Sequence, residues 1–103
     1  QNLILLMKII PMNMNNYLDD NVSSIGLDSS EGHVSAGGMS AGEYAFGTSQ
    51  KERMVVVHGA LEVRLPNTTE WQVFAAGTEF NVDANVTFDV KVAEPTAYLC
   101  YYS

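Results

Sequence analysis

In Glu52-Arg53-Met54-Val55-Val56-Val57-His58-Gly59-Ala60-Leu61-Glu62-Val63-Arg64-Leu65, two runs rich in β-branched residues meet at a glycine. Three consecutive valines favour an extended chain, and Leu61 to Leu65 alternates apolar with polar, the period of a strand with one buried face. Gly59-Ala60 reads as the turn between the two strands. Pro66-Asn67-Thr68-Thr69 closes the hairpin, because proline brings no ladder donor and the residues after it favour turns.

The same grammar continues outward in both directions. Downstream, strands are expected over residues 71–74, 78–82, 86–93 and 96–102, separated by Ala76-Gly77, Asp83-Ala84-Asn85 and Glu94-Pro95. Upstream they fall at 22–25, 34–39 and 43–48, with turn clusters at Ser29-Ser30-Glu31-Gly32 and Ala41-Gly42. Gly37-Gly38 inside one of these strands marks a bulge or a close backbone approach. No ten-residue stretch carries a helical period. About eight or nine short strands at intervals of roughly 8 to 12 residues predict an all-β chain, an antiparallel jelly-roll barrel.

The chain has 103 residues, which suits a single domain. Twelve acidic against five basic side chains give a formal charge of -7, so neither a nucleic-acid backbone nor an anionic membrane surface is an expected partner. No apolar run reaches the roughly 20 residues of a spanning helix. The lone Cys100 excludes an intramolecular disulfide and a thiolate zinc site, in keeping with an expected cytoplasmic location. Residues 1–14 begin with an apolar block interrupted by Lys8 and lack a basic start and a small-residue cleavage site. They read as a leader or extension ahead of one domain over residues 15–103.

Glu52, six residues and Gly59 match the end of the first cupin motif, which points to a cupin-type barrel. That motif expects two histidines ahead of the glutamate, where this chain has Phe46 and Thr48, and a later histidine falls near Phe88. Three of the four ligand positions therefore lack a donor suited to a first-row metal. The expected scaffold is a cupin with no metal and no other cofactor. Cys100 sits in an apolar strand with no histidine nearby in sequence and reads as an inert core thiol. Neither a Gly-x-Ser-x-Gly elbow nor a phosphate-loop glycine motif is present.

Period two places Tyr44 with Phe46 on the inward side and Glu43 outward, and groups Glu52 with Met54 and Val56. Phe88, Val90 and Val92 form another row, and Tyr98, Cys100 and Tyr102 a fourth. Two readings follow. Tyr44, Phe46, Met54, Phe80, Phe88 and Tyr98 either line a small pocket around a buried Glu52, suited to a flat ring with a hydrogen-bonding edge, or simply fill the core.

The strings Gly42-Glu43-Tyr44, Gly59-Ala60-Leu61, Trp71-Gln72-Val73, Ala76-Gly77, Phe80-Asn81-Val82, Val92-Ala93-Glu94-Pro95-Thr96 and Tyr98-Leu99-Cys100 go further. Together they closely resemble the bacterial pyrimidine/purine nucleoside phosphorylases, single-domain cupins, over residues 15–103. The resemblance implies phosphorolysis of purine and pyrimidine nucleosides to free base and (deoxy)ribose 1-phosphate, with nucleosides and inorganic phosphate as partners. In this light Glu52 is the first candidate catalytic carboxylate and Glu43 the second. A structural role for Glu52, satisfying backbone or tyrosine donors, is the other reading. His33, after Gly32, is the candidate phosphate ligand because the resemblance places a basic residue there, and phosphate affinity would then vary with pH across the ordinary imidazole range. Edge strands of so small a barrel need covering, so a homodimer is expected. The alternative is a metal-free cupin that binds a small ligand without turning it over.

Overall fold

A computed structural model describes residues 21–103 throughout and residues 13–17 as strand backbone. The leader expected over residues 1–14 lies, up to residue 12, outside the described residues. Among the described residues ten strands follow one another: β1 (Asn13–Tyr17), β2 (Val22–Ser29), β3 (Gly32–Met39), β4 (Gly42–Gly47), β5 (Glu52–His58), β6 (Ala60–Arg64), β7 (Gln72–Ala75), β8 (Glu79–Val82), β9 (Thr87–Val92) and β10 (Thr96–Tyr102). No described residue is helical. The strands form an antiparallel six-stranded sheet ordered β1-β2-β3-β10-β5-β8 and an antiparallel four-stranded sheet ordered β4-β9-β6-β7. This is the expected cupin-type jelly roll.

Alternation does the sorting. Met54 and Val56 on β5, Leu61 and Val63 on β6, Val90 and Val92 on β9, and Cys100 on β10 all turn inward and are buried. Each fully buried aliphatic side chain contributes on the order of 1.5–3 kcal/mol, and these rows are joined in the core between the two sheets by Val22, Met39, Val82 and the rings of Phe80, Phe88 and Tyr98.

The deciding stretch behaves as its sequence implies, except that its two strands part company. β5 joins the large sheet and β6 the small one, so Gly59 is the corner where the chain changes sheets. Gly59 takes φ +90°, and a Cβ there would stand 2.5 Å from Thr96 Oγ1. That hydroxyl donates toward the Ala60 carbonyl and accepts from its N–H, at 3.1 and 3.2 Å, which pins the corner to β10. Gly37 is a close approach and not a bulge, since β3 keeps register with β2 and β10 through it. Its missing Cβ leaves room for the Tyr98 ring, its cross-strand partner on β10.

Candidate functional site

Between the sheets lies a chamber of about 330 Å³, at the lower end of the size range for small-molecule sites. Phe46 from β4 and Phe88 from β9 form one wall, with ring centroids 5.7 Å apart. Opposite them stand Met54 from β5 and Tyr98 from β10. Glu52, at the start of β5, supplies the carboxylate.

Four of the six aromatic and sulfur-bearing residues expected at the pocket are thus brought together with Glu52. The other two stand elsewhere. Phe80 is buried deeper in the core, with ring centroids 4.7 Å from Phe74 and 6.1 Å from Phe88. Tyr44 faces inward and packs on Phe46, but its hydroxyl donates to the Ser40 carbonyl at 2.6 Å and holds the ring at the rim. Glu43 is exposed on the outer face of the small sheet opposite Lys91, away from the chamber. The second carboxylate candidate therefore does not share a site with the first.

Glu52 is half-buried and receives a hydrogen bond from the Cys100 thiol at 3.5 Å. Burial raises its carboxyl above the ordinary range, and the thiol contact opposes that only partly. Burial, reinforced by the Glu52 charge, pushes the Cys100 thiol up to about 12, so at neutral pH it is a protonated donor. Tyr102, also half-buried, is shifted upward, mainly by burial. It shares a hydrogen bond with Ser35 at 3.1 Å and lines the chamber together with Cys100 and Ser24.

The positions where the motif would carry histidines serve other ends. Phe46 and Phe88 supply the apolar wall. Thr48 donates to the Asp83 carbonyl at 2.7 Å and accepts from the Val86 N–H at 3.1 Å, tying down the connection between β8 and β9. Among the described residues, no three His, Cys, Asp or Glu side chains are grouped as a metal site would require.

A second cleft, about 420 Å³ and polar, shares Glu52 and Tyr102 with the chamber. Lys51 and Arg53 lie on it, but Glu31 and Asp83 join Glu52 there, so its carboxylates outnumber its cations. Arg53 is further committed, to Glu79 at 3.2 Å and to the Tyr101 ring at 4.1 Å. On the other sheet Arg64 is forked onto Asp89 and Lys91 sits over Trp71. His33 stands beside Tyr102, ring centroids 5.2 Å apart, with its Nδ1 3.0 Å from the Asp28 carboxylate. It borders the site through Tyr102 without lining the chamber.

Inspection of the sequence did not pick out Tyr102 or Ser24 among the polar residues that line the chamber, nor Ser35, which lies behind Tyr102 as its hydrogen-bond partner. Period two already turned Tyr102 inward with Tyr98 and Cys100, but its pairing with Glu52 across β5 and β10 depends on long-range register.

Residues 12–102 match the family model described as pyrimidine/purine nucleoside phosphorylase. A protein of that name from Pseudomonas fluorescens (strain Pf0-1) is 55% identical over 89 residues, covering 86% of this chain and 95% of its own length. A crystal structure of a Vibrio parahaemolyticus protein of unknown function superposes with a TM-score of 0.87 at 39% identity, covering 91% of this chain and all of that one. An RmlC-like cupin from Shewanella frigidimarina shares the fold alone, with a TM-score of 0.68 at 15% identity over 89% of this chain and 83% of its own.

Proposed function

The chain belongs to the pyrimidine/purine nucleoside phosphorylase family, and on that footing we propose that it cleaves purine and pyrimidine nucleosides with inorganic phosphate. The C1′–N bond of the nucleoside breaks, a phosphate oxygen bonds to C1′, and the base leaves with the bonding pair and takes up a proton. The products are the free base and ribose or deoxyribose 1-phosphate.

A single observation carries the assignment to this site: a half-buried carboxylate, Glu52, at the edge of a chamber walled by Phe46, Phe88, Met54 and Tyr98. Aromatic and thioether walls hold a base by its faces, which tolerates purines and pyrimidines alike. Glu52 stands where it either hydrogen-bonds pentose hydroxyls or faces the positive charge that develops at C1′. A carboxylate partly withdrawn from water stabilises that charge more than the same group does when fully solvated. His33 is the proposed phosphate ligand because the family resemblance places a basic residue after Gly32, and the imidazole stands beside Tyr102, which lines the chamber. The protein is taken to act in the cytoplasm, without a metal, as a homodimer, which sedimentation at micromolar concentration would check.

The test is release of uracil from uridine with and without phosphate. Phosphate-dependent release with matching ribose 1-phosphate is the expected result. Uracil or uridine binding without turnover would favour a ligand-binding cupin, and release independent of phosphate would make the reaction a hydrolysis.

A further inference from the structure

A row of four polar side chains crosses one end of the six-stranded sheet. Asp28 on β2 is the cross-strand partner of His33 on β3, and Tyr102 on β10 is the partner of Glu52 on β5. The contact between the His33 and Tyr102 rings joins the two pairs into one line. Neighbouring strands lie about 4.8 Å apart, so β3 and β5 are separated by roughly 10 Å, with Tyr102 between them.

The constraints on the two outer members differ. Glu52 is held by burial and by the Cys100 thiol. His33 is 43% exposed at its side chain, and its carboxylate partner Asp28 is 94% exposed. A contact this open to water is worth at most about 1 kcal/mol and fixes little. The Tyr102 ring is a firmer stop. Its hydroxyl is tied to Ser35, two residues along β3 from His33, so the ring lies against β3 with one end anchored and its side against the imidazole.

We propose that Tyr102 is a positioning residue, whose ring sets the His33 imidazole at the separation from Glu52 at which a phosphate on His33 faces a pentose at Glu52. This rests on the phosphorolysis assigned above. Attack at C1′ needs the phosphate oxygen within about 3–3.5 Å, and a misplacement of about 1 Å can cost 100-fold in rate. The part that matters is the ring. The hydroxyl acts only by anchoring it.

The experiment measures KM for phosphate and for uridine separately in the full chain and in Tyr102→Leu and Tyr102→Phe. Tyr102→Leu is expected to lower kcat by up to about 100-fold and to raise KM for phosphate about tenfold, with KM for uridine changed less than about twofold, and Tyr102→Phe to recover most of both losses. Equal rises in both constants, no change in either, or a Phe variant as impaired as the Leu variant would each overturn the proposal. Should Tyr102→Leu fail to fold, Tyr102→Met, which keeps an apolar side chain without a ring, takes its place, and an unchanged KM for phosphate there would count against the proposal. Should the unmodified chain show no phosphorolysis, the proposed function fails by itself. Phosphate titration of the His33 ring resonances then decides the positioning role, weaker binding in Tyr102→Leu supporting it and unchanged binding refuting it.

Discussion

Gly37→Ala isolates one contact that links the scaffold to the chamber. A Cβ at Gly37 would stand 2.6 Å from Tyr98 Oη, 2.7 Å from Tyr98 Cζ and 2.7 Å from the Ser23 carbonyl oxygen. Carbon atoms pack best at about 3.5–4.0 Å, so the overlap approaches 1 Å on two sides. The Ser23 carbonyl belongs to β2, whose ladder with β3 runs through Ser23 and Ser24, and it cannot withdraw without disturbing that pairing. The Tyr98 ring must move instead, and it lines the chamber. Overpacking of this kind costs about 1–3 kcal/mol, partly offset by about 0.5–1 kcal/mol because alanine has less chain entropy to lose than glycine. The net loss is about 1 kcal/mol, which in a domain of this size lowers Tm by roughly 5–8 °C.

Gly38→Ala is the internal control. Its nearest contact would be the Thr96 carbonyl at 3.7 Å, an ordinary distance, so the entropy gain stands alone and Tm should hold or rise slightly. Thermal melts of the two variants side by side, with KM for uridine in each, make the assay. A Gly37→Ala protein as stable as Gly38→Ala, or one that loses stability without weaker uridine binding, would refute the account of Tyr98 as a wall held in place by a glycine.

Glu52→Gln keeps the side-chain volume and removes the charge, so a loss of about 100-fold or more in kcat without a fall in Tm is expected, and near-normal kcat would return Glu52 to a structural role. Burial raises the Glu52 carboxyl in the folded chain, so its contribution to stability is present in acid, below the unfolded carboxyl range, and is lost as pH rises through the folded value. Melts at about pH 4 and pH 7 should therefore show Glu52→Gln gaining on the unmodified chain toward neutral pH, and the opposite trend would contradict the burial. Cys100, buried with its thiol raised to about 12, should resist iodoacetamide in the folded protein at pH about 8 and react readily in urea, whereas equal rates would place it at the surface.

Most of the architecture was legible in local pattern. The valine run, the turn at Gly59 and the alternation of Phe88, Val90 and Val92 are decided within a few residues, but the parting of β5 and β6 into different sheets at that turn is not, because it depends on which distant strands each one pairs with. β1 was not legible, because Asn13-Met14-Asn15-Asn16-Tyr17 is poor in strand formers and forms its strand by pairing with β2. Within the site, period two gives the face a residue uses but not its depth. Phe80 and Tyr44 both point inward, yet one sinks into the core and the other is held at the rim by Ser40. The join between Ser35 and Tyr102 spans 67 positions of sequence and rests on the β3–β10 pairing, which no local pattern discloses.

A crystal structure of the chain with uracil and inorganic phosphate bound tests the central claim most directly. The account predicts the base in the chamber against Phe46 and Phe88, its glycosidic nitrogen toward Glu52, and the phosphate within hydrogen-bond distance of His33 beside Tyr102. An empty chamber, with the base in the polar cleft at Lys51 or on the outer face of the small sheet near Trp71, would contradict it.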